Sequence, residues 1–351
     1  LLASSDHVLD VLDAGTTMRF LTAYIAATNQ HKELTGTERM RQRPIGILVD
    51  ALQELGADIS YKVKEGFPPI IINGFGKQLK SALAIRGDVS SQYISALLMI
   101  APTLPDGLTL ELKGKIGSRP YIAMTLSVMK SFGVDATWND NIITIPNQTF
   151  YQTDYTVEPD WSAASYWYSV VALSEEASVT LTGLIDKSIQ GDRKIADIMK
   201  PLGVSTKFTK AGAVLSKQEH ASETQINFID CPDLAQTVSV ICAVKGIKCK
   251  MTGLESLRIK ETDRIKALQQ ELSKINADIV ESDGEWTVSP SSNMPDSQIV
   301  FDTYEDHRMA MAFAPLATRF PIIINDPSVV NKSYPRYWED YTKAGFILSE
   351  I

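Results

Sequence analysis

Apolar residues along this chain fall into two alternating rhythms. Stretches with apolar positions three and four apart, the spacing of a helix with one buried face, give way to short stretches alternating apolar and polar, the spacing of a strand. Four segments share this layout: LVDALQELGADISY from Leu48 to Tyr61, MTLSVMKSFGVDATW from Met124 to Trp138, IADIMKPLGVSTKF from Ile195 to Phe208, and ALQQELSKINADIV from Ala267 to Val280. A last turn, KAGFIL from Lys343 to Leu348, closes the series. In each, a Gly or Asn separates the helical part from the strand-like part, and these residues suit the left-handed cap that stops a helix. The predicted caps are Gly56, Gly133, Gly203, Asn276 and Gly345, recurring about every 70 residues.

Five repeats therefore account for the chain. Each is too long for a solenoid repeat and carries several strands with helices between them, so the pattern predicts a compact α/β (α+β) unit used repeatedly. The polar stretch QTFYQTDYTVEPD, with Pro159, marks a crossing between two domains, 1–157 and 158–351, with about two and a half repeats on each side. A length of 351 residues with 44% hydrophobic composition fits two such domains. No apolar run is long enough to span a bilayer, and the opening LLASSDHVLDVLD lacks the features of a signal peptide, so the cytoplasm is the expected location. Cys231, Cys242 and Cys249 have no CxxC spacing and the four histidines are scattered, so neither a disulfide framework nor a zinc site is expected. A net charge of -8 argues against nucleic acid as a partner.

That acidic balance hides local concentrations of Arg and Lys. Four segments place small or hydroxyl residues directly before an apolar helical run: DAGTTMRFLTAYIAA from Asp13, GDVSSQYISALLMIA from Gly87, EPDWSAASYWYSVVAL from Glu158 and CPDLAQTVSVICAV from Cys231. Helix starts have free N–H groups and a partial positive charge, and small residues let an anion approach them. Capping alone also explains Thr16, Ser90 and Asp233. Arg41 and Arg43 stand in RMRQRPI; Lys260, Glu261 and Arg264 in LRIKETDR lie on adjacent faces if that segment is helical; Asp306, His307 and Arg308 stand where a helix rich in Ala and Met begins. Guanidinium forks suit phosphate and carboxylate. No P-loop and no GxGxxG occurs, so a nucleotide is not the indicated anion.

The motifs LDAGTTMR, LTGTERMRQRPI, DVSSQYISALL, SRPYI, GDRKIADIMKPLGV, LRIKETDR and YEDHRMAMAFA followed by NKSYP resemble, in order and spacing, those of the EPSP synthase family. The resemblance runs from near residue 9 to near residue 340. It implies a two-domain inside-out α/β barrel built from six repeats; with five counted here, the N-terminal unit is expected to be largely missing. It also implies transfer of the enolpyruvyl group of phosphoenolpyruvate to shikimate 3-phosphate, on the route to chorismate and the aromatic amino acids, without cofactor or metal. Those two small molecules are the implied partners, and the implied state is a monomer.

Carried over residue by residue, the resemblance makes Asp233 the base that takes the 5-hydroxyl proton, Glu261 the acid that protonates C3, and Lys260 a neutralising charge between the substrates. It places Gly15, Arg43, Gln92, Arg264, Arg308 and Lys332 on phosphoenolpyruvate. It places Ser90, Ser91, Gln92, Ser118, Asp233 and Lys260 on shikimate 3-phosphate, with Arg119 and Tyr121 nearby. Glu271, further along the same segment as Glu261, is read as a carboxylate without a part in the reaction. The family's early Lys-Ser and following Arg have no counterpart here, so a segment upstream of Leu1 is expected. Ser256 stands where some members carry Asn, Asp13 where many carry Asn, and Phe20 where many carry Pro. Two alternatives stay open: a UDP-N-acetylglucosamine enolpyruvyl transferase, disfavoured because no Cys precedes Cys231, and a binding module with an incomplete site.

Overall fold

The computed structural model describes residues 5–294 and 297–350, and the chain divides into two compact units, 1–156 and 157–351. The first unit holds two four-stranded sheets of identical design. In one, β1 (Val8–Asp10), β2 (Lys32–Thr35), β3 (Ala57–Tyr61) and β4 (Ile70–Phe75) are ordered β1-β2-β4-β3; α1 (Gly15–Ala27) joins the first two strands, and α2 (Glu38–Arg41) and α3 (Gly46–Leu55) precede the third. In the other, β5 (Ala82–Arg86), β6 (Leu108–Lys113), β7 (Thr137–Asn139) and β8 (Ile142–Ile145) are ordered β5-β6-β8-β7, with α4 (Ser91–Ile100) and α5 (Arg119–Ser131) between them. In both, the first pair of strands is parallel and the last pair is an antiparallel hairpin.

The second unit repeats the design with variations. It opens with α6 (Trp161–Leu173) and the sheet β10-β11-β9, built from β9 (Ser178–Thr182), β10 (Val204–Thr209) and β11 (Gly212–Lys217), with α7 (Ile195–Met199) ahead of β10. The four-stranded order returns as β12-β13-β15-β14, from β12 (Glu223–Asn227), β13 (Lys248–Thr252), β14 (Asp278–Ser282) and β15 (Glu285–Ser289), with helices α8 (Ala235–Lys245) and α9 (Arg264–Ser273). A parallel pair, β16 (Ile299–Phe301) and β17 (Ile322–Ile324), is joined through α10 (His307–Phe313) and followed by α11 (Tyr337–Lys343). Two sheets thus fall in the first unit and three in the second, rather than two and a half repeats each. The shorter sheets belong to the second unit, and the repeat at 8–75 carries its full four strands.

Two helices of the second unit, α6 and α8, are almost wholly enclosed. All of α6 except Ser162 and Ala163 is buried, as is α8 up to Ala243, which is the mark of a helix surrounded by protein. Strands alternate instead: β5 buries Leu83 and Ile85 and exposes Ala82, Ala84 and Arg86, and β13 buries Cys249 and Met251 while exposing Lys248 and Lys250. A sheet with one wet face tolerates this polar alternation, whereas a parallel sheet covered on both faces would read as a continuous apolar run. The five predicted caps all have positive φ: Gly56, Gly133, Gly203, Asn276 and Gly345. At Gly56 a side chain is excluded twice over, by a φ of 115° and by the Lys77 carbonyl oxygen 2.2 Å from where a Cβ would stand.

Candidate active site

In the second unit the functional side chains gather where three helices begin. Arg264 is the first residue of α9, whose cap is Asp263, accepting from the Lys266 N–H at 3.1 Å. The sequence expectation of one helix through LRIKETDR is corrected here: a 3-10 turn ends at Ile259, Lys260 is extended, and the helix starts only after the Asp263 cap. This break lets Glu261 fold back onto Arg264. The Arg264 guanidinium, 2% exposed, donates to three carboxylates: Nε to Asp306 at 2.7 Å, Nη1 to Asp233 at 2.9 Å, and Nη2 to Glu261 at 2.8 Å.

Asp306 is itself fully buried and caps α10, accepting from the Arg308 N–H at 2.9 Å. That cap sets the direction of Arg308, whose Nη2 lies 3.1 Å from the other oxygen of Asp233 and whose Nη1 donates to Ser162 Oγ at 2.6 Å. Lys260 Nζ stands 3.5 Å from Asp233. Asp233 is not a helix cap: it sits inside the 3-10 turn Pro232–Leu234, where no side chain caps the turn, and the cap position of α8 belongs to Leu234. Its carboxylate turns to the cations instead.

Three carboxylates and three cations therefore share one largely buried group. Burial pushes the Asp233 carboxyl up, but Arg308, Lys260, Arg264 and His307 outweigh it and hold the group well below the usual carboxylate range. For Arg264 burial pulls the value down, and Asp306, Glu261 and Asp233 reverse that to hold it firmly charged. His307 is the opposite case: burial first, then Arg308, pushes its imidazole down to about 3, so it is neutral beside the cluster.

The first unit gathers a second set. Gly15 opens α1 without a capping side chain, and the guanidinium groups of Arg43 and Arg19 stand directly over it; a Cβ there would meet Arg43 Nη2 at 2.7 Å. Arg43 Nη1 donates to the Asp13 carbonyl at 3.3 Å, and Arg19 to the carbonyls of Gly15 and Pro44, both at 3.1 Å. Thr37 caps α2 and bonds the Asp13 carboxylate. Gln92 Nε2 donates to Thr16 Oγ1 at 2.8 Å, which brings the starts of α1 and α4 together. Ser90 caps α4 through a long contact to the Gln92 N–H, 3.4 Å, and Ser91 is the first helical residue. Ser118, with φ of 52°, precedes α5 and its hydroxyl makes no capping bond; Arg119 lies 4.1 Å over the Trp138 ring.

The structure thus unites Asp233, Lys260, Glu261, Arg264 and Arg308, and separately Gly15, Arg43 and Gln92 with the start of α4. Lys332 is not joined to either: it is exposed at the end of the 3-10 turn Pro327–Lys332, which packs against α10, and makes no hydrogen bond or ion pair among the described residues. Sequence reasoning left Arg19, Ser162, Asp306 and Tyr166, whose hydroxyl accepts from Arg308 Nη1 at 3.4 Å, without a role. Arg19 stands four residues after Gly15, one helical turn, and Asp306 directly precedes a helix with Arg308 in its first turn; both signals were present. Glu271, read from the sequence as a carboxylate without a part in the reaction, is fully buried and accepts from Lys274, Tyr304 and the Asp302 N–H.

The comparisons with known proteins agree across nearly the whole chain. The family model for EPSP synthase (3-phosphoshikimate 1-carboxyvinyltransferase) matches residues 1–341. A 3-phosphoshikimate 1-carboxyvinyltransferase of Bacteroides fragilis is 51% identical, over 98% of this chain and 85% of its own length. One from Idiomarina loihiensis is 38% identical, over 94% of this chain and 78% of its own. Among solved structures, an EPSP synthase from Acinetobacter baumannii superposes with a TM-score of 0.74 at 21% identity, covering 97% of this chain and 80% of that one. At that identity the likeness establishes the fold alone.

Proposed function

Because this chain belongs to the EPSP synthase family, the 3-phosphoshikimate 1-carboxyvinyltransferases, we propose a division of labour among its residues for moving the enolpyruvyl group from phosphoenolpyruvate to the 5-hydroxyl of shikimate 3-phosphate. The reaction is a step of the shikimate pathway, giving EPSP and phosphate, and the alternative sugar-nucleotide reading is not favoured. The observation that carries the assignment is Asp233: a carboxylate that caps nothing and faces Arg264, Arg308 and Lys260.

Asp233 takes the proton of the 5-hydroxyl as its oxygen bonds C2 of phosphoenolpyruvate, and Glu261 gives a proton to C3. The tetrahedral intermediate then returns a proton from C3 to the Glu261 carboxylate as the C2–O bond to phosphate breaks and the phosphate leaves with that electron pair. A carboxylate held down by three cations is a poor base, and one paired with a guanidinium is a poor acid. Both problems have one solution. When the phosphate and carboxylate of phosphoenolpyruvate take the forks of Arg264 and Arg308, Asp233 regains basicity and Glu261 becomes able to carry a proton. Lys260 stays beside Asp233 and offsets charge on shikimate 3-phosphate.

Lys332 is assigned to phosphoenolpyruvate with these arginines, and Gly15, Arg43 and Gln92 of the first unit to the same substrate. Ser90, Ser91, Gln92 and Ser118 are assigned to shikimate 3-phosphate, where hydroxyls and free N–H groups at helix starts suit a phosphate. The proposed setting is a cytoplasmic monomer working without cofactor or metal. The test is phosphate release from the two substrates by the full-length protein and by Glu261→Gln, each before and after exhaustive chelation. The proposal expects turnover that survives chelation and falls by roughly 10²-fold in the variant. Activity restored only by a divalent metal contradicts the metal-free reading, and near-normal turnover in Glu261→Gln removes Glu261 as the acid.

A further inference from the structure

The loop that delivers Asp306 to Arg264 is built in an unfavourable conformation. Tyr304 and Glu305 both have positive φ, 53° and 57°, in a chain where most such positions are held by Gly. Non-glycine residues rarely adopt this conformation, and two in succession need outside support. The support comes from α9. At its start Arg264 grips Asp306; two turns later, on the same face, the buried Glu271 grips the other end of the loop, accepting from the Asp302 N–H at 3.0 Å and from Tyr304 Oη at 2.5 Å. Lys274 completes the clamp, donating to Glu271 at 2.7 Å, to Asp302 at 2.8 Å and to the Val300 carbonyl at 3.0 Å.

We infer that Glu271 is a positioning residue for the reaction: it holds the left-handed turn at Tyr304 and Glu305 so that Asp306 both caps α10 and orients Arg264. Neither Glu271 nor Tyr304 bonds Asp233, Glu261 or Arg308 among the described residues; the effect passes through the backbone of 302–306. With the clamp weakened, the turn relaxes toward commoner backbone angles. Asp306 is then withdrawn, and Arg264 and Arg308 lose their shared reference. This rests on the reading that the Asp233, Arg264 and Arg308 group is the reaction site.

The experiment compares kcat, KM for phosphoenolpyruvate and melting temperature in four full-length variants: Glu271→Gln, Glu305→Gly, their combination, and Asp233→Asn. Assays run well below every melting temperature, so that loss of folded protein does not register as loss of kcat. The expected result is a roughly 10-fold lower kcat in Glu271→Gln, near-parent kcat in Glu305→Gly, where the exposed Glu305 gives way to a residue that adopts positive φ freely, and recovery of at least half the lost factor in the combination. A purely structural Glu271 predicts a lower melting temperature with kcat unchanged. That outcome overturns the inference, as does a loss of kcat that Glu305→Gly does not relieve. Should Glu271→Gln not fold, Tyr304→Phe, which removes only the hydroxyl contact to Glu271, is read against the same two outcomes. Parent-like kcat in Asp233→Asn overturns the underlying site reading instead, so the two failures are told apart.

Discussion

A methyl group on Gly15 would stand 2.7 Å and 2.9 Å from the two terminal nitrogens of Arg43 and 3.0 Å from Arg19 Nη1. These are the ends of flexible side chains, so the helix start survives and Arg43 moves. From the sequence alone Gly15 reads as open room for a ligand; the geometry makes it the floor on which an arginine rests. Gly15→Ala is therefore expected to raise KM for phosphoenolpyruvate by roughly 10-fold, as a guanidinium loses one charge-assisted bond to an anion, and to weaken competition by glyphosate, the inhibitor of this family, in step. Melting temperature should stay near the parent's. Unchanged KM and inhibition in steady-state assays would remove Arg43 from the phosphoenolpyruvate assignment. Only the family resemblance made Asp233 a candidate base, and its freedom from capping duty was not legible, because DLAQ reads as well as a helix start as it does as a turn.

Among the elements, the legible features are the local ones. The five helix stops follow from Gly and Asn chemistry in a few adjacent residues, and each one is found left-handed. The break at 260–263 was not legible, since IKETDR contains no Gly or Pro to announce it, and the Asp263 cap is visible only once the helix is known to begin at Arg264. Replacing this cap is a direct check: Asp263→Ala should cost about 1 kcal/mol, read as a lower denaturant midpoint with unchanged slope. An unchanged midpoint would mean that the α9 start is held by Arg264's carboxylate partners alone. The burial of Glu271 was illegible for a different reason. Its partners at 302 and 304 lie about 30 residues further on, and no periodicity along a helix reveals that a distant loop covers one of its faces.

At the scale of the whole molecule, the repeat follows from the apolar rhythm and the change of unit near residue 156 from the polar stretch around Pro159, whereas the inside-out layering was implied by the family resemblance alone and the uneven share of sheets depends on strand pairing that the rhythm does not encode. Stability should carry the signature of the buried ion cluster. His307 takes a proton near 6.5 when unfolded but only near 3 in the folded chain, so between those values the unfolded state binds more protons and stability falls with acidity. At pH 5 this amounts to about 2 kcal/mol, at 1.36 kcal/mol per pH unit. Asp233 acts lower: its contribution is complete above its unfolded value of 3.8 and is lost as pH falls through its depressed folded value. Denaturant midpoints at pH 7.5 and pH 5 should therefore differ in the parent and differ less in His307→Asn; equal sensitivity in both would acquit His307. Asp233 is the residue on which the proposed reaction depends most. The most direct test is kcat and melting temperature of full-length Asp233→Asn, with the exposed Glu219→Gln as control in place of the buried Glu271. The account predicts a folded protein whose kcat falls by roughly 10²-fold or more while the control is unaffected, the scale of losing a positioned proton acceptor. Near-parent kcat in Asp233→Asn would contradict it.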